Sequence, residues 1–296
     1  MTLSGNRRRL IGMSFIDHIK ACNAADISHF RPFEVAGVPV GSVRTSFAMR
    51  LAAFPDVFSV RDDRVALLEQ FATPAARTEA VARVVQRLGD AGVLPKPRGE
   101  DYAVVPAWGQ PALMRLDRRF VSAFGVRAFG VHMNGIVRQG DDIKLWIGRR
   151  AADKSVEPNK LDNMVAGGQP AGLTLAENLI KEAAEEADIP KALAQTARPV
   201  GAITYRMEGE LGLKPDTLFV YDLDVPADFV PRNTDGEIAS FSLMDLDEVA
   251  ERVRASRDFK FNVNLVIIDF LIRHGRLSPD TEPDYMKLVT GLRAML

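Results

Sequence analysis

Apolar and polar positions alternate with two different periods along this chain, and the change of period marks its organisation. From Phe15 to about Leu94 the apolar residues recur mostly at helical spacing. Ser14 offers an N-cap before Phe15 and Ile16. Thr73 to Gly92 forms a well-bounded helix: Thr73 can cap it, Pro74 suits its first turn, and Gly89 or Gly92 can end it. Two stretches interrupt this helical texture. Glu34 to Ser46 turns to Val and Gly, with Pro39 inside, and predicts a short hairpin. Phe58 to Val65 places charged residues at a turn, followed by a strand or a helix. Pro95 to Asp101, rich in Pro and charge, predicts a loop near a domain junction.

After Arg118 and Arg119 the period shortens. Strands are predicted at Ala128–Val137 and Ile143–Arg149, joined by a turn at Gln139–Asp142. A glycine-bearing loop and a helix follow over Gly167–Ala187. Further strands are expected at Val200–Tyr205, Thr217–Leu223 and Ile238–Leu243. Helices at Leu246–Ala255 and Asn262–Arg273, and a short helical tail, close the chain. Strands mixed with helices in this order give an α+β or α/β sandwich of sheet and helices.

The bulk numbers narrow the classes. At 296 residues the chain suits two domains of ordinary size. It is 47% hydrophobic and 26% charged, the balance of a soluble globular protein. A net charge of −1 gives no general pull toward nucleic acid or an anionic membrane. The one cysteine, Cys22, cannot form an internal disulfide, which fits a reducing cytoplasm. No stretch approaches the ~18 apolar residues of a membrane helix, and the basic amino-terminal tail reads as frayed rather than as a signal peptide. No nucleic-acid or membrane partner is therefore expected.

The segment Gly167–Ile189 carries the candidate chemistry. Thr174 is an N-cap with Glu177 three residues on, a capping-box arrangement, and Pro190 ends the helix. At ~100° per residue, Glu182, Glu185 and Glu186 share an arc of roughly 100°. Ala176, Ile180, Ala183, Ala184 and Ala187 take the other side and are expected to lie against a sheet, leaving the carboxylates facing away from it. Three like charges at this spacing repel. Either water and salt screen them, or they bind hard divalent cations, which prefer oxygen ligands.

The whole segment resembles the Nudix box, a glycine followed by E-x7-R-E-U-x-E-E-x-G-U with U aliphatic. Lys181-Glu-Ala-Ala-Glu-Glu-Ala-Asp-Ile189 matches its second half, and Glu182, Glu185 and Glu186 fall on the family's metal-ligating positions. Lys181 stands where the family usually has arginine, Asp188 replaces the last glycine, and Leu173 sits where the first glutamate belongs, in a glycine loop one residue shorter. The resemblance spans about residues 122–275. Together with Leu161-Asp-Asn-Met-Val-Ala-Gly-Gly168, Tyr221-Asp-Leu223 and Asp235-Gly-Glu237, these departures resemble a Nudix branch with an N-terminal DUF4743 extension, similar to the Nudix part fused to thiamine pyrophosphokinase in some fungi. The resemblance implies an α+β fold. A Nudix α/β/α sandwich with a mixed sheet, residues 121–296, follows a smaller α+β domain, residues 1–120. It also implies Mg2+- or Mn2+-dependent hydrolysis of a small-molecule diphosphate such as thiamine diphosphate or a damaged analogue. The alternative is a Nudix-fold ligand-binding or regulatory module that has lost turnover.

Such hydrolysis wants a further carboxylate to take a proton from water. Glu237 is the first candidate, with Asp235, Glu208 and Glu210 behind it. The same Asp235-Gly-Glu237 also reads as an ordinary polar turn. Arg149, Arg150 and Lys160 could grip phosphate oxygens, with Gly167 and Gly168 in the loop beside them. Tyr221 and Trp146 could stack on a heterocycle or belong to the core. The four histidines show no metal-ligand spacing. The N-terminal region carries no readable motif, and three roles stand open for it: covering the site, selecting the substrate or forming a homodimer contact.

Overall fold

The computed structural model describes residues 13–140 and 142–294. The amino-terminal tail, expected to be frayed, lies outside them, as does residue 141 of the turn at 139–142. In the first part of the chain come α1 (Phe15–Cys22), β1 (Phe30–Val35), β2 (Val38–Arg44), α2 (Thr45–Leu51), β3 (Phe58–Val60), β4 (Val65–Leu67), α3 (Pro74–Asp90), β5 (Asp101–Val104) and β6 (Met114–Asp117). The second part begins with β7 (Phe129–Gln139), β8 (Asp142–Arg150), β9 (Leu161–Asp162), β10 (Val165–Gly168), α4 (Leu175–Ala187) and α5 (Lys191–Ala194). It continues through β11 (Arg198–Glu208), β12 (Leu213–Asp224), β13 (Ile238–Asp245), α6 (Leu246–Ala255), α7 (Phe261–Arg273) and α8 (Tyr285–Gly291).

The first part is less helical than its apolar spacing predicts. Four strands in the order β2-β1-β4-β3 form a sheet, and β5 pairs with β6. β3 and β4 are three residues each and β5 and β6 four, too short for a period-2 pattern to register against a helical one. The hairpin expected at Glu34–Ser46 is β1–β2, and the charged turn after Phe58 joins β3 to β4. α3 matches its expected caps, with the Thr73 hydroxyl accepting from Ala76 N–H. One core, built on Phe33, Phe47, Phe58 and Phe124, holds this sheet against α2 and α3. Three of those rings surround Phe124 at 5.0–6.2 Å.

The second part is a three-layer sandwich around a seven-stranded mixed sheet. Its strands run β11-β12-β7-β8-β13, with β10 beside β7 and β9 beside β8, and β12 runs parallel to β7. Successive residues of β7 point to opposite faces. Val131, Met133 and Val137 meet α4, whereas Ile136 meets the layer formed by α1, α6, α7 and α8. The helix α1 thus packs with the second part: Phe15, Ile16, Ile19 and Cys22 share the core of α7 and α8, and His18 Nε2 bonds Val253 O at 2.7 Å.

A buried polar network crosses this sheet on the α7 side. His132 Nδ1 lies 2.9 Å from Asn163 Oδ1, Asn163 donates to Asn134 Oδ1, Asn134 donates to Asp222 Oδ1, and Arg273 closes the chain on Asp222 at 2.6 Å. The amide directions put the proton on His132 Nδ1. Beside it Asp162 is buried between Arg150 (2.7 Å) and Lys260 (3.6 Å). These bonds fix β9 and the turn into β10, and so set where the glycine loop begins. Burial, reinforced by Lys260, lowers the His132 imidazole to about 4. Its stabilising contribution is therefore complete above the unfolded value near 6.5 and is lost as pH falls toward 4. The loss should be on the order of 3 kcal/mol. Urea unfolding at pH 7 and pH 4.5 would show it as a steeper acid loss in the wild type than in His132→Gln; equal slopes would refute it.

Candidate active site

The helix α4 is placed by its ends. Thr174 Oγ1 accepts from Glu177 N–H at 3.2 Å and Glu177 accepts from Thr174 N–H at 2.8 Å, the capping box the sequence predicts. At the other end Asp188 adopts a left-handed conformation, φ 54°, where glycine is the usual residue. Aspartate tolerates this region better than most side chains, and Arg232 holds its carboxylate at 2.6 Å.

The buried face of α4 is only partly the one its small residues predict: Ala183 and Ala187 are buried and Ile180 packs on the same core, but the face also takes in Glu186. Ala176 and Ala184 are exposed, while Asn178, Leu179, Ala183, Glu186 and Ala187 are buried. The helix is rolled so that Glu186 turns inward, to 4% exposure, and accepts Ala166 N–H at 2.8 Å. Gly167 makes this close approach of the helix feasible, and Gly168 makes room for Tyr102. A methyl at Gly167 would overlap Glu182 Cγ and Cδ, and one at Gly168 would overlap the Tyr102 hydroxyl. Asn178 donates to Gly168 O at 2.9 Å and locks helix to loop.

The three carboxylates differ sharply. Burial pushes Glu186 well above the ordinary carboxylate range, and the charges of Asp162, Glu182 and Glu237 add to the push. Burial also raises Glu182, against the opposing charge of Lys181. Glu185 is half-exposed, and Lys181 Nζ bridges it at 2.6 Å to Glu182 at 3.2 Å. Burial works against the Lys181 charge, but Glu185 and Glu182 overcome it and raise the ammonium to about 12.

Glu237 arrives on the loop after β12. Arg232 N–H and Thr234 N–H donate to Ala187 O and Glu185 O, satisfying carbonyls that the end of α4 leaves open. Asn233 and Asp235 accept backbone N–H groups within the turn, Asp235 from Glu237 itself at 2.8 Å. The Glu237 side chain meets Lys154 Nζ and lies 3.7 Å from Arg98 Nη2. Burial alone would raise Glu237; the Lys154 hydrogen bond and the charges of Lys154, Arg98 and Arg118 outweigh it and hold the carboxylate low.

The structure thus brings Glu182, Glu186, Glu237, Gly167 and Gly168 together, with Glu185 at the edge through Lys181, and places the phosphate-gripping and stacking candidates elsewhere. Arg150 is buried on Asp162 and on the carbonyls of Val156 and Glu157. Arg149 and Lys160 line a separate cavity of about 340 Å³ with Pro158, Asn159 and Asp258. Tyr221 is half-buried beside the α4-side core, and Trp146 is a core residue. Glu208 pairs with Arg44 at 2.7 Å, and Arg44 also donates to Glu210 O. Lys154, Arg98, Arg118 and Tyr102 carried no signal in the sequence beyond lying in or beside irregular segments.

Among the described residues, no three His, Cys, Asp or Glu side chains converge as a cage for a metal ion. Magnesium does not need one: it commonly takes one or two carboxylates and completes its shell with water and substrate phosphate oxygens. Glu182 and Glu186 suit that role. Both are costly to ionise where they stand, and Lys181 already shows that the Glu182–Glu185 edge attracts a cation.

A carboxylate helix seated on a glycine loop and a mixed sheet, with a cation-ringed glutamate opposite, defines this part of the molecule. The family described as Domain of unknown function (DUF4743) matches residues 14–128. The chain is 40% identical over 290 residues to Nudix hydrolase 20, chloroplastic, of Arabidopsis thaliana, covering 94% of this chain and 77% of that one. It is 32% identical over 214 residues to Uncharacterized protein YJR142W of Saccharomyces cerevisiae, covering 67% and 61%. Among solved structures, DR0079 from Deinococcus radiodurans aligns with 57% of this chain and 96% of its own, at 22% identity and a TM-score of 0.44. The chain belongs to the Nudix hydrolase family.

Proposed function

We propose that this Nudix hydrolase cleaves a diphosphate linkage in a small molecule, with Mg2+ or Mn2+ held by Glu182 and Glu186 and by the substrate's own phosphate oxygens. The observation that carries this reading is the buried carboxylate pair: Glu186 is sealed behind the glycine loop with one N–H as its described partner, and Glu182, one turn earlier on α4, has a side chain only 13% exposed. When bound, the metal neutralises the diphosphate, orients it and makes a coordinated water more acidic. The chain's own part is placement. Gly167 lets Glu182 reach the pocket, Ala166 N–H fixes Glu186, and the loop after β12 presents Glu237 from across the site.

Glu237 fits two roles that kinetics can separate. As a proton acceptor, its loss lowers kcat. As an anchor for Lys154 and Arg98, its loss raises KM. Its ion pairs and low pKa favour the anchor, since an effective base titrates nearer the working pH. Thiamine diphosphate and its oxidised analogues head the substrate panel because of the resemblance to the fungal fusion proteins. ADP-ribose, dinucleotides, nucleoside triphosphates and capped RNA complete it. With Mg2+, at least one small diphosphate should release phosphate or a monophosphate; tight binding without turnover across the panel would favour the ligand-binding module instead.

A further inference from the structure

The β5–β6 hairpin and the loop leading into it bring the N-terminal part against the glycine loop and Glu237. Four contacts seat it there. Asp101 O accepts Ala171 N–H at 2.8 Å, which splices β5 onto the loop before α4. The Tyr102 hydroxyl stands against Gly168, where a side chain would displace it. Trp108 lies on Phe129 and Phe219 of the sandwich, ring centroids 4.8 and 4.6 Å away. Arg98 faces Glu237 at 3.7 Å.

The loop is not free to swing. Asp117 accepts the N–H groups of Arg98 and Gly99 at 2.8 and 2.7 Å, and Arg118 N–H bonds Glu100 O at 2.8 Å. The Arg118 guanidinium stacks over the Tyr102 ring at 5.5 Å and gives Nη1 to Glu100. A guanidinium has five N–H donors in a planar fork suited to phosphate oxygens. One ion-pair contact for Arg98 and one side-chain hydrogen bond for Arg118 leave most of that capacity, and the two side chains are 40% and 33% exposed.

We propose that this hairpin is a fixed wall of the active site, and that Arg98 and Arg118 bind the phosphate oxygens of the substrate while Tyr102 positions Arg118. The inference rests on the diphosphate reading above and assigns a task to the N-terminal part within it. Electrostatics supplies the reason. A site lined by Glu182, Glu186, Glu237 and Glu100 repels a diphosphate, and a metal held by α4 would offset that only on its own side. Cations on the opposite wall complete the clamp, and Glu237 and Glu100 keep them in place when no substrate is present.

The test uses the full chain. Arg98→Gln and Arg118→Gln should each raise KM for the best panel substrate about tenfold, with kcat within about threefold, as expected when uniform binding is lost. Arg→Lys at either position should recover part of the loss. Tyr102→Phe should keep the ring under Arg118 and leave KM near wild type, whereas Tyr102→Ala should mimic Arg118→Gln. Arg115→Gln, on the exposed side of β6, controls for lost charge. Thermal melts show whether Arg118→Gln stays folded; Arg98, held through its backbone, carries the test if it does not. Unchanged KM in folded Arg98 and Arg118 variants of an active enzyme overturns the inference and leaves the diphosphate reading standing. If the wild type turns nothing over, calorimetry with methylenediphosphonate decides. Binding that weakens about tenfold in both variants upholds the phosphate wall while the hydrolase reading fails, and equal binding overturns the wall as well.

Discussion

Replacing Glu186 with Gln should do two opposite things: abolish most turnover and stabilise the metal-free protein. Both follow from one fact, a carboxylate at 4% exposure whose described partner is a single backbone N–H. As a ligand and an electrostatic catalyst, its loss should cost roughly 10²–10³-fold in kcat. As a buried charge without a cation, it penalises the folded state, and relieving it should return on the order of 1–3 kcal/mol. The sign fixes the pH dependence. Glu186 is raised in the folded protein above its unfolded value near 4.5. Metal-free wild type therefore binds more protons folded than unfolded, and this group's contribution falls as pH rises through 4.5 and on through the folded value. Glu186→Gln should remove that fall. Mg2+ should raise the wild-type Tm and leave the variant's unchanged, because binding to the folded state alone stabilises it. Glu182→Gln should match the kinetic loss. Glu185→Gln should lose less, since Glu185 is half-exposed and tied to Lys181. Scanning calorimetry with and without Mg2+, beside steady-state kinetics, reads all of this. A Glu186→Gln enzyme with wild-type kcat, or one that melts lower without metal, would falsify the assignment.

The parts of this molecule that were legible in the sequence are those governed by local chemistry. The Thr174–Glu177 box, the strand-forming runs from Phe129 to Asp245 and the helices α6 and α7 depend on residues a few positions apart. The site failed to show itself where the deciding partner is distant. Periodicity counts Glu186 as a polar residue and assigns it outward. The Ala166 N–H and the bare Gly167 facing α4 explain why it turns in. Arg149, Arg150 and Lys160 looked suited to phosphate because they end a strand and start a loop. Yet Arg150 is consumed by Asp162, which the sequence could not reveal as buried. Conversely, Arg98 sits in a Pro- and charge-rich stretch that reads as a loop near a domain junction, and its meaning depends on Glu237 in the other half of the chain. Loops positioned by rigid scaffolds commonly carry such contacts, and local pattern does not announce them. The short strands β5 and β6 were lost for a plainer reason: four residues give at most two alternations.

Gly167→Ala should separate the geometry of the site from its stability. Gly167 pairs with Val131 in the sheet, and its backbone is one that alanine can adopt, since no positive φ is involved. The three atoms nearest the added methyl all belong to the flexible Glu182 side chain, Cδ, Cγ and Oε1. To yield, the side chain must leave the position it holds against Gly167, one helical turn from Glu186. The expected stability change is therefore small, about 1 kcal/mol or less. The expected kinetic change is large, approaching that of Glu182→Gln, roughly 10²-fold in kcat. Metal affinity should fall in parallel, because one of the two proposed protein ligands has moved. Gly168→Ala offers the contrast: its methyl strikes the Tyr102 hydroxyl, so its effect should appear in KM through the Arg118 wall and be relieved in part by removing that hydroxyl in Tyr102→Phe. Kinetics of the two glycine variants at saturating and limiting substrate would show the split. If Gly167→Ala keeps wild-type kcat and metal affinity while remaining folded, Glu182 does not act from the position it occupies against the glycine loop.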